Sequence, residues 1–187
     1  MKKTLLLGAI AISFMTQCTD EKDPYLITND SIGNLDKSNR MRQVDSLFAQ
    51  DSIVKLSPIQ DAIGTQGEVE IYDKAGEKLL LLSPDDEMDP NSRIYNIQIF
   101  DERFKTDNGL NRNSTFGELK SNYTISGIET GINTVVVFLE NSNLYITIDK
   151  RELPENLRYD PNIDIEVSQI PDEARFKYFM LGWDQTE

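Results

Sequence analysis

Carboxylates dominate the side chains of this sequence that could do chemistry, since 32 of its 187 residues are Asp or Glu. In one acidic stretch, Asp85, Glu87 and Asp89 place oxygen ligands at alternate positions, as calcium-binding loops do. A second stretch, 160–166, has similar spacing. Both stretches lack the glycine and the closing glutamate that complete such a loop. Calcium at Asp85, Glu87 and Asp89 is the one cofactor the sequence suggests, and a solvated surface loop is the alternative.

Histidine is absent from the sequence and cysteine occurs once. These counts exclude Ser-His-Asp and Cys-His nucleophile systems, His-ligated zinc and internal disulfides. Two carboxylates alone can hydrolyse a glycoside, but the sequence does not show which of its many acids face each other. The glycines at 64, 67 and 76 are dispersed and form no phosphate-binding loop. We therefore predict that the protein is not an enzyme.

The one cysteine, Cys18, follows an N-terminal segment with a distinctive pattern of charge and hydropathy. Lys2 and Lys3 precede an apolar run over 4–15, which is shorter than the roughly 20 residues a membrane-spanning helix needs. This arrangement resembles the signal peptides of bacterial lipoproteins, although Gln17 stands where a small residue is usual. The resemblance implies removal of residues 1–17, acylation of Cys18 and anchoring in a lipid bilayer. An ordinary secretory signal with an incidental cysteine is the alternative.

Two further resemblances concern the compartment. The acidic run 19–23 looks like the tag that follows the lipidated cysteine in surface-exported lipoproteins of Bacteroidota-type bacteria. Proteins of these bacteria can also be O-glycosylated at Asp-Ser followed by an aliphatic residue, although Asp and Ser are ordinary turn residues too. The matching acceptors here are Ser31, Ser46 and Ser52. The resemblances imply an outer-membrane lipoprotein exposed at the cell surface, with a periplasm-facing orientation as the alternative.

The formal net charge of −13 bears on partners. Nucleic acids and anionic lipid surfaces both reward clusters of Lys and Arg, so neither is an expected partner. A solvated acidic surface is the simplest interpretation of the charge.

The predicted helices and strands occur in the same order twice along the chain. We expect a signal peptide over 1–17, a flexible tether over 18–29, and two α+β repeats over 30–105 and 106–187. In the first repeat a helix begins after Ser38 and buries Met41, Val44 and Phe48. In the second, Thr115 and Glu118 form a capping box. Alternating apolar residues predict strands at 51–56, 68–72, 78–82, 95–99, 124–128, 134–139, 144–148 and 175–183.

This order predicts an α+β fold, in which an antiparallel sheet of about eight strands carries helices on one face and leaves the other face wholly or partly open. The entry Gly109-Leu110, the cap Ser114-Thr115, the pair Glu118-Leu119 and the strand over 135–138 resemble the tandem repeat of the beta-lactamase inhibitory proteins. Each unit is also similar to the small lipoprotein subunit of the outer-membrane barrel-assembly machinery. The resemblance covers residues 110–149 and implies a fold rather than a function.

The densest group of aromatic residues lies near the C-terminus. Strand alternation places Phe176 and Tyr178 on one side and Phe179 and Leu181 on the other. A strand that is apolar on both sides is either buried or partly exposed at an interface, and Tyr178 and Trp183 are the candidates for contact with a partner.

These observations together predict a membrane-anchored lipoprotein that acts as a non-enzymatic binding or accessory protein for an envelope or extracellular protein. The alternative is a surface lipoprotein that binds glycans, or a small carboxylate-dependent glycoside hydrolase.

Overall fold

A computed structural model of the chain describes residues 23–56, 67–89, 91–159 and 163–183. These residues form a mostly β structure with a few short helices, so the broad α+β prediction holds. The strands of the large sheet are β4 (Ser52–Lys55), β5 (Val69–Tyr72), β6 (Lys78–Pro84), β7 (Ile94–Ile99), β9 (Ile125–Thr130), β10 (Thr134–Leu139), β11 (Leu144–Asp149) and β12 (Phe176–Gly182). This sheet is antiparallel, with strand order β4-β5-β6-β7-β12-β11-β10-β9.

A smaller sheet is built from two-residue strands in the order β3-β2-β1-β8. These are β1 (Leu26–Ile27), β2 (Ser31–Ile32), β3 (Leu35–Asp36) and β8 (Lys105–Thr106). The α-helices are α1 (Val44–Leu47), α2 (Phe116–Asn122) and α3 (Glu155–Arg158), with single 3-10 turns at Met41–Gln43, Lys150–Glu152 and Val167–Gln169. Within the described ranges, no helix combines the length and apolar character that crossing a membrane requires.

One face of the large sheet, which we call the inner face, carries the core. Cross-strand pairing links eight apolar residues in one continuous row, namely Ile53, Ile71, Leu80, Ile99, Phe179, Ile146, Val137 and Ile128. Most of this row is 2 % exposed or less. Because successive side chains of a strand point to opposite faces, the residues directly before and after each of these eight along its strand form an outer face.

Helix α2 begins where the sequence places its cap. Thr115 accepts a hydrogen bond from the Glu118 N–H, and the Glu118 carboxylate accepts one from the Thr115 N–H, which confirms the capping box. Phe116 and Leu119 are fully buried in the same hydrophobic cluster as the inner row. The Phe116 N–H also donates to the Ala174 carbonyl at 2.9 Å, which joins the start of α2 to the approach to β12.

The predicted tether over 18–29 is too long. Residues 18–22 lie outside the described residues, but Leu26–Ile27 form β1, and Ile27 is 2 % exposed. Strand β1 pairs in parallel with Lys105–Thr106, and Gly33 adopts a φ of +54° with the Pro24 carbonyl directly against it. Since a side chain at Gly33 would collide with that carbonyl, the close approach requires glycine. The fold therefore includes residues 24–27, which lie within the predicted tether.

The predicted alternation in β12 is wrong at one residue. Thr147 pairs with Tyr178 and Ile148 pairs with Phe176, so Lys177 is an extra residue that has no opposite partner. Such a bulge resets the alternation. Phe176 therefore shares the inner side with Phe179, and the two rings stack with centroids 5.9 Å apart, while Tyr178 points outward.

Candidate binding surface

The outer face of the large sheet is also crossed by one continuous row of paired residues. In strand order from β4 to β9 the row consists of Val54, Glu70, Leu81, Gln98, Met180, Tyr145, Phe138 and Gly127. Except at the exposed edge residue Val54, these residues are half-buried, in contrast with the inner row. The two ends of the row differ in chemistry, because its β5–β7 part includes charged and amide side chains and its β10–β12 part is apolar and aromatic.

The β10–β12 end is organised around Tyr145. Its ring stacks on Phe138 with centroids 5.9 Å apart and planes at 28°, and its hydroxyl donates to the Asn96 Oδ1 at 2.9 Å. Gly182 makes room for the ring, since a Cβ on Gly182 would lie 3.3 Å from a ring carbon. Burial raises the pKa of the Tyr145 phenol, which is therefore neutral at physiological pH. The stacking on Phe138 and the hydrogen bond to Asn96 fix the orientation of the Tyr145 ring.

Three neighbours extend this region into a continuous surface. Met180 pairs directly with Tyr145. Thr147 pairs with Tyr178 on one side and with Val136 on the other. Tyr178 is 41 % exposed, and Val136 and Met180 are half-buried. We call the five outward residues Val136, Phe138, Tyr145, Tyr178 and Met180 the apolar patch. Such a patch amid polar surroundings is typical of contact surfaces.

The β5–β6 part of the outer face is occupied by its own polar contacts. Glu70 accepts hydrogen bonds from the Lys78 ammonium and from the Tyr72 hydroxyl, the latter at 2.7 Å. These two donors, Lys78 first, lower the pKa of the Glu70 carboxyl. The Ser83 hydroxyl donates to the Glu68 carboxylate at 2.7 Å. Because these groups satisfy one another, this part offers little to a ligand.

The structure separates the two residues predicted to contact a partner. Tyr178 lies in the apolar patch, whereas Trp183 is 2 % exposed and donates its indole N–H to the Asn29 carbonyl at 2.9 Å. Trp183 therefore belongs to the core, and its prediction as a surface contact is corrected. The burial follows from the segment around Asn29, which packs against the end of β12 and which the sequence predicts as part of a flexible tether.

The structure does not assemble the predicted calcium site. The Asp85 carboxylate pairs with Arg93 at 2.9 Å, the Asp89 carboxylate accepts the Asn91 N–H within its own turn, and Glu87 is exposed. Among the described residues, no three Asp, Glu, Cys or His side chains form a group that could hold a metal ion. The alternating acids are thus loop residues whose side chains have separate local partners.

The remaining predicted sites are distributed along the first half of the chain. Cys18 lies outside the described residues. Ser46 in α1 and Ser52 at the start of β4 are exposed, while Ser31 in β2 is half-buried and shares a hydrogen bond of 2.9 Å with the Thr28 hydroxyl. Sequence reasoning missed Val136, Phe138, Tyr145 and Met180. The unbroken apolar run over 135–139 was the available signal, since a strand that is apolar at every position has an apolar outer side as well.

Comparison with known proteins gives a fold but no family. No model of a known protein family matches the sequence, and no curated protein matches it. A solved structure similar to this chain is that of the uncharacterized protein yfeY from Escherichia coli, with a TM-score of 0.52 and 12 % sequence identity over 83 % of this chain and 98 % of that chain. At this identity the likeness concerns the fold alone.

Proposed function

We propose that this protein is a lipid-anchored, non-enzymatic binding protein of the bacterial cell envelope, and that its apolar patch docks a protein partner. The observation that carries the proposal is the patch itself, where Phe138, Tyr145 and Met180 lie side by side and half-buried on three neighbouring strands. The fold does not need these apolar side chains there, because the inner face already supplies the core. Aromatic residues and Met are enriched at the centres of protein interfaces.

The wider setting is part of the same proposal. The signal-like segment 1–17 and Cys18 support acylation, outer-membrane anchoring and exposure at the surface of a Bacteroidota-type cell. Asp45-Ser46-Leu47 and Asp51-Ser52-Ile53 support O-glycosylation, since both serines are exposed. The net charge of −13 favours a partner whose surface is basic around its apolar contact.

The proposed architecture is a duplication. A helix followed by β4–β7 and a helix followed by β9–β12 have the same order, and the two sets of strands meet antiparallel at β7 and β12. Met41 and Val44 from the first helical segment and Phe116 and Leu119 from α2 belong to one core cluster with the inner row. These observations support helices that cover the inner face and leave the outer face for a partner.

The test compares two substitutions that bring the same charge into neighbouring positions of one row. Met180→Glu places a carboxylate in the apolar patch, whereas Gln98→Glu places one directly beside it in β7. We expect the full-length lipoprotein, purified from detergent-solubilised envelopes, to retain a stoichiometric partner as wild type and as Gln98→Glu and to lose it as Met180→Glu. A photoreactive side chain at position 178 should crosslink to the same partner.

Two outcomes would contradict the proposal. One is the recovery of no stoichiometric partner with wild type, and the other is equal retention by both variants when their thermal unfolding matches that of wild type. Acylation is tested separately, since a palmitate analogue should label wild type and should not label Cys18→Ser.

A glycan is the alternative ligand for the same patch. The exposed ring of Tyr178 beside the stacked Phe138 and Tyr145 provides aromatic surface on which a sugar can pack. Glycan-array binding that persists in Gln98→Glu and disappears in Tyr178→Ala would favour this alternative. Trp183→Ala is uninformative in such an assay because Trp183 is buried.

A further inference from the structure

A second surface differs from the apolar patch in chemistry, because it is positively charged in a protein whose net charge is negative. A hollow of about 380 Å³ is lined by Asn133, Asp149, Lys150, Arg151, Arg158, Tyr159 and Lys177. These residues carry four positive charges and one negative charge. The chain as a whole has 19 basic and 32 acidic residues, so this concentration of cations opposes its overall composition.

Three irregularities of the fold bring the cations together. Lys177 is the extra residue of the bulge in β12, and Lys150 and Arg151 belong to the 3-10 turn that follows β11. Arg158 is the last residue of α3, where its Nε donates to the Leu153 carbonyl at 2.7 Å. The bulge and the turn leave the regular sheet at adjacent points, since β11 and β12 are neighbours.

Asp149 is the one carboxylate among the described residues that line the hollow, and it does not neutralise their positive charge. Asp149 accepts hydrogen bonds from Arg151 at 3.1 and 3.0 Å and from Lys177 at 3.2 Å, and these donors, Arg151 first, hold its pKa well below the usual range. One negative charge thus lies between two positive charges. Arg158 contributes a further positive charge. A positive excess therefore remains.

A second hollow shows what a balanced arrangement looks like. About 520 Å³ in volume, it is lined by Lys78, Arg103 and Arg112 together with four carboxylates, those of Asp73, Glu77, Asp101 and Glu102. Arg103 pairs with Asp73 at 2.8 Å and with Asp101 at 2.6 Å. The cations of this hollow are therefore already matched by acids, and an added anion would meet repulsion.

We propose that the hollow around Asp149 binds a phosphate-type oxyanion, which the guanidinium groups of Arg151 and Arg158 and the ammonium of Lys177 contact. Arginine offers paired N–H donors that match the oxygen atoms of a phosphate. Asn133 and Tyr159 add an amide and a phenol at the hollow, and Tyr159 is 80 % exposed. The volume accommodates a phosphate together with a small attached group.

The test titrates the full-length protein in detergent with inorganic pyrophosphate by calorimetry, at constant ionic strength maintained with sodium chloride. We expect saturable binding with a dissociation constant below about 1 mM, weakened about tenfold or more in Arg151→Gln and in Arg158→Gln. Arg93→Gln is the matched control, because Arg93 pairs with Asp85 at 2.9 Å as Arg151 pairs with Asp149 at 3.0 Å. It should change affinity less than about twofold.

The absence of saturable binding of wild type to both pyrophosphate and phosphatidic acid vesicles would overturn the proposal, and so would an equal loss in Arg93→Gln, which would show that only the overall charge matters. The Arg151 side chain is 84 % exposed, so Arg151→Gln tests the site without disturbing the core even if Arg158→Gln unfolds. If phosphatidic acid vesicles are bound in place of pyrophosphate, with the same variant pattern, the oxyanion comes from a lipid headgroup. Vesicle binding that is unchanged in Arg151→Gln and in Arg158→Gln would also overturn the proposal.

Discussion

The two faces of the large sheet are built from the same eight strands and differ in almost every other respect. The inner row is apolar in all eight strands, whereas the outer row changes from a mixture of Glu70, Leu81 and Gln98 in β5–β7 to aromatic and apolar side chains in β10–β12. Folding demands the first pattern, because a sheet needs one buried face. Folding does not demand the apolar side chains in the β10–β12 part of the outer row. The comparison therefore separates the residues that stabilise the fold from those available for binding.

The largest effect should come from two adjacent leucines on opposite faces. Leu80 is fully buried in the inner row, and Leu81 is half-buried in the outer row. We expect Leu80→Ala to lower the free energy of unfolding by about 2–5 kcal/mol and Leu81→Ala by less than about 1 kcal/mol. Urea denaturation of both variants measures the difference. Similar losses would show that the outer face is packed as tightly as the inner one.

Trp183 and Tyr178 differ in burial, so substitutions at these two positions should differ in their effect on stability. Trp183→Phe removes the indole N–H from the Asn29 carbonyl and leaves a small gap, so we expect a loss of about 1–2 kcal/mol. Tyr178→Phe keeps the ring and removes an exposed hydroxyl, and should change stability by less than about 0.5 kcal/mol. Thermal denaturation of the two variants decides. An unchanged Trp183→Phe protein would mean that the contact with Asn29 contributes nothing.

The helix cap tests how much the stability of the protein depends on the start of α2. Thr115→Ala removes the acceptor of the Glu118 N–H and should cost about 1 kcal/mol. Thr115→Ser keeps the hydroxyl and serves as the control, with a smaller loss. Chemical denaturation curves measured side by side distinguish the two. Equal losses would assign the effect to the methyl group rather than to the cap.

The smallest effect concerns the charged half of the outer face. The Glu70 carboxyl has a lowered pKa in the folded state, so its contribution is complete above the ordinary pKa of glutamate and is lost as the pH falls through the lowered folded-state value. We expect Glu70→Gln to cost less than about 1 kcal/mol at neutral pH, and the difference from wild type to vanish in acid. Urea denaturation across a pH series measures it, with exposed Glu129→Gln as the control.

The sequence predicted the regular parts of the fold. Alternation located each strand of the large sheet to within a few residues, and the Thr115 and Glu118 cap located α2, because period and capping are local properties. The small sheet was missed, since strands such as Ser31–Ile32 and Lys105–Thr106 are too short to show a period. The bulge at Lys177 was also missed, because nothing in 175–183 marks an extra residue.

The sites were harder to predict than the fold. The five residues of the apolar patch come from three strands, and their proximity depends on the register of β10, β11 and β12. Only Tyr178 among them was identified from the sequence. The hollow around Asp149 needs the bulge, the 3-10 turn and α3 together, and none of these could be assembled from spacing alone. The acidic stretch at 85–89 had the right spacing for a cation, but local turn contacts determine where its side chains point.

The contact between Trp183 and Asn29 also has a practical use. The chain contains one tryptophan, and that residue is enclosed between the end of β12 and the N-terminal segment. Its fluorescence is therefore an optical signal from a single known position. A shift of the emission to longer wavelength would report water reaching the indole, and hence the separation of the segment around Asn29 from the end of β12.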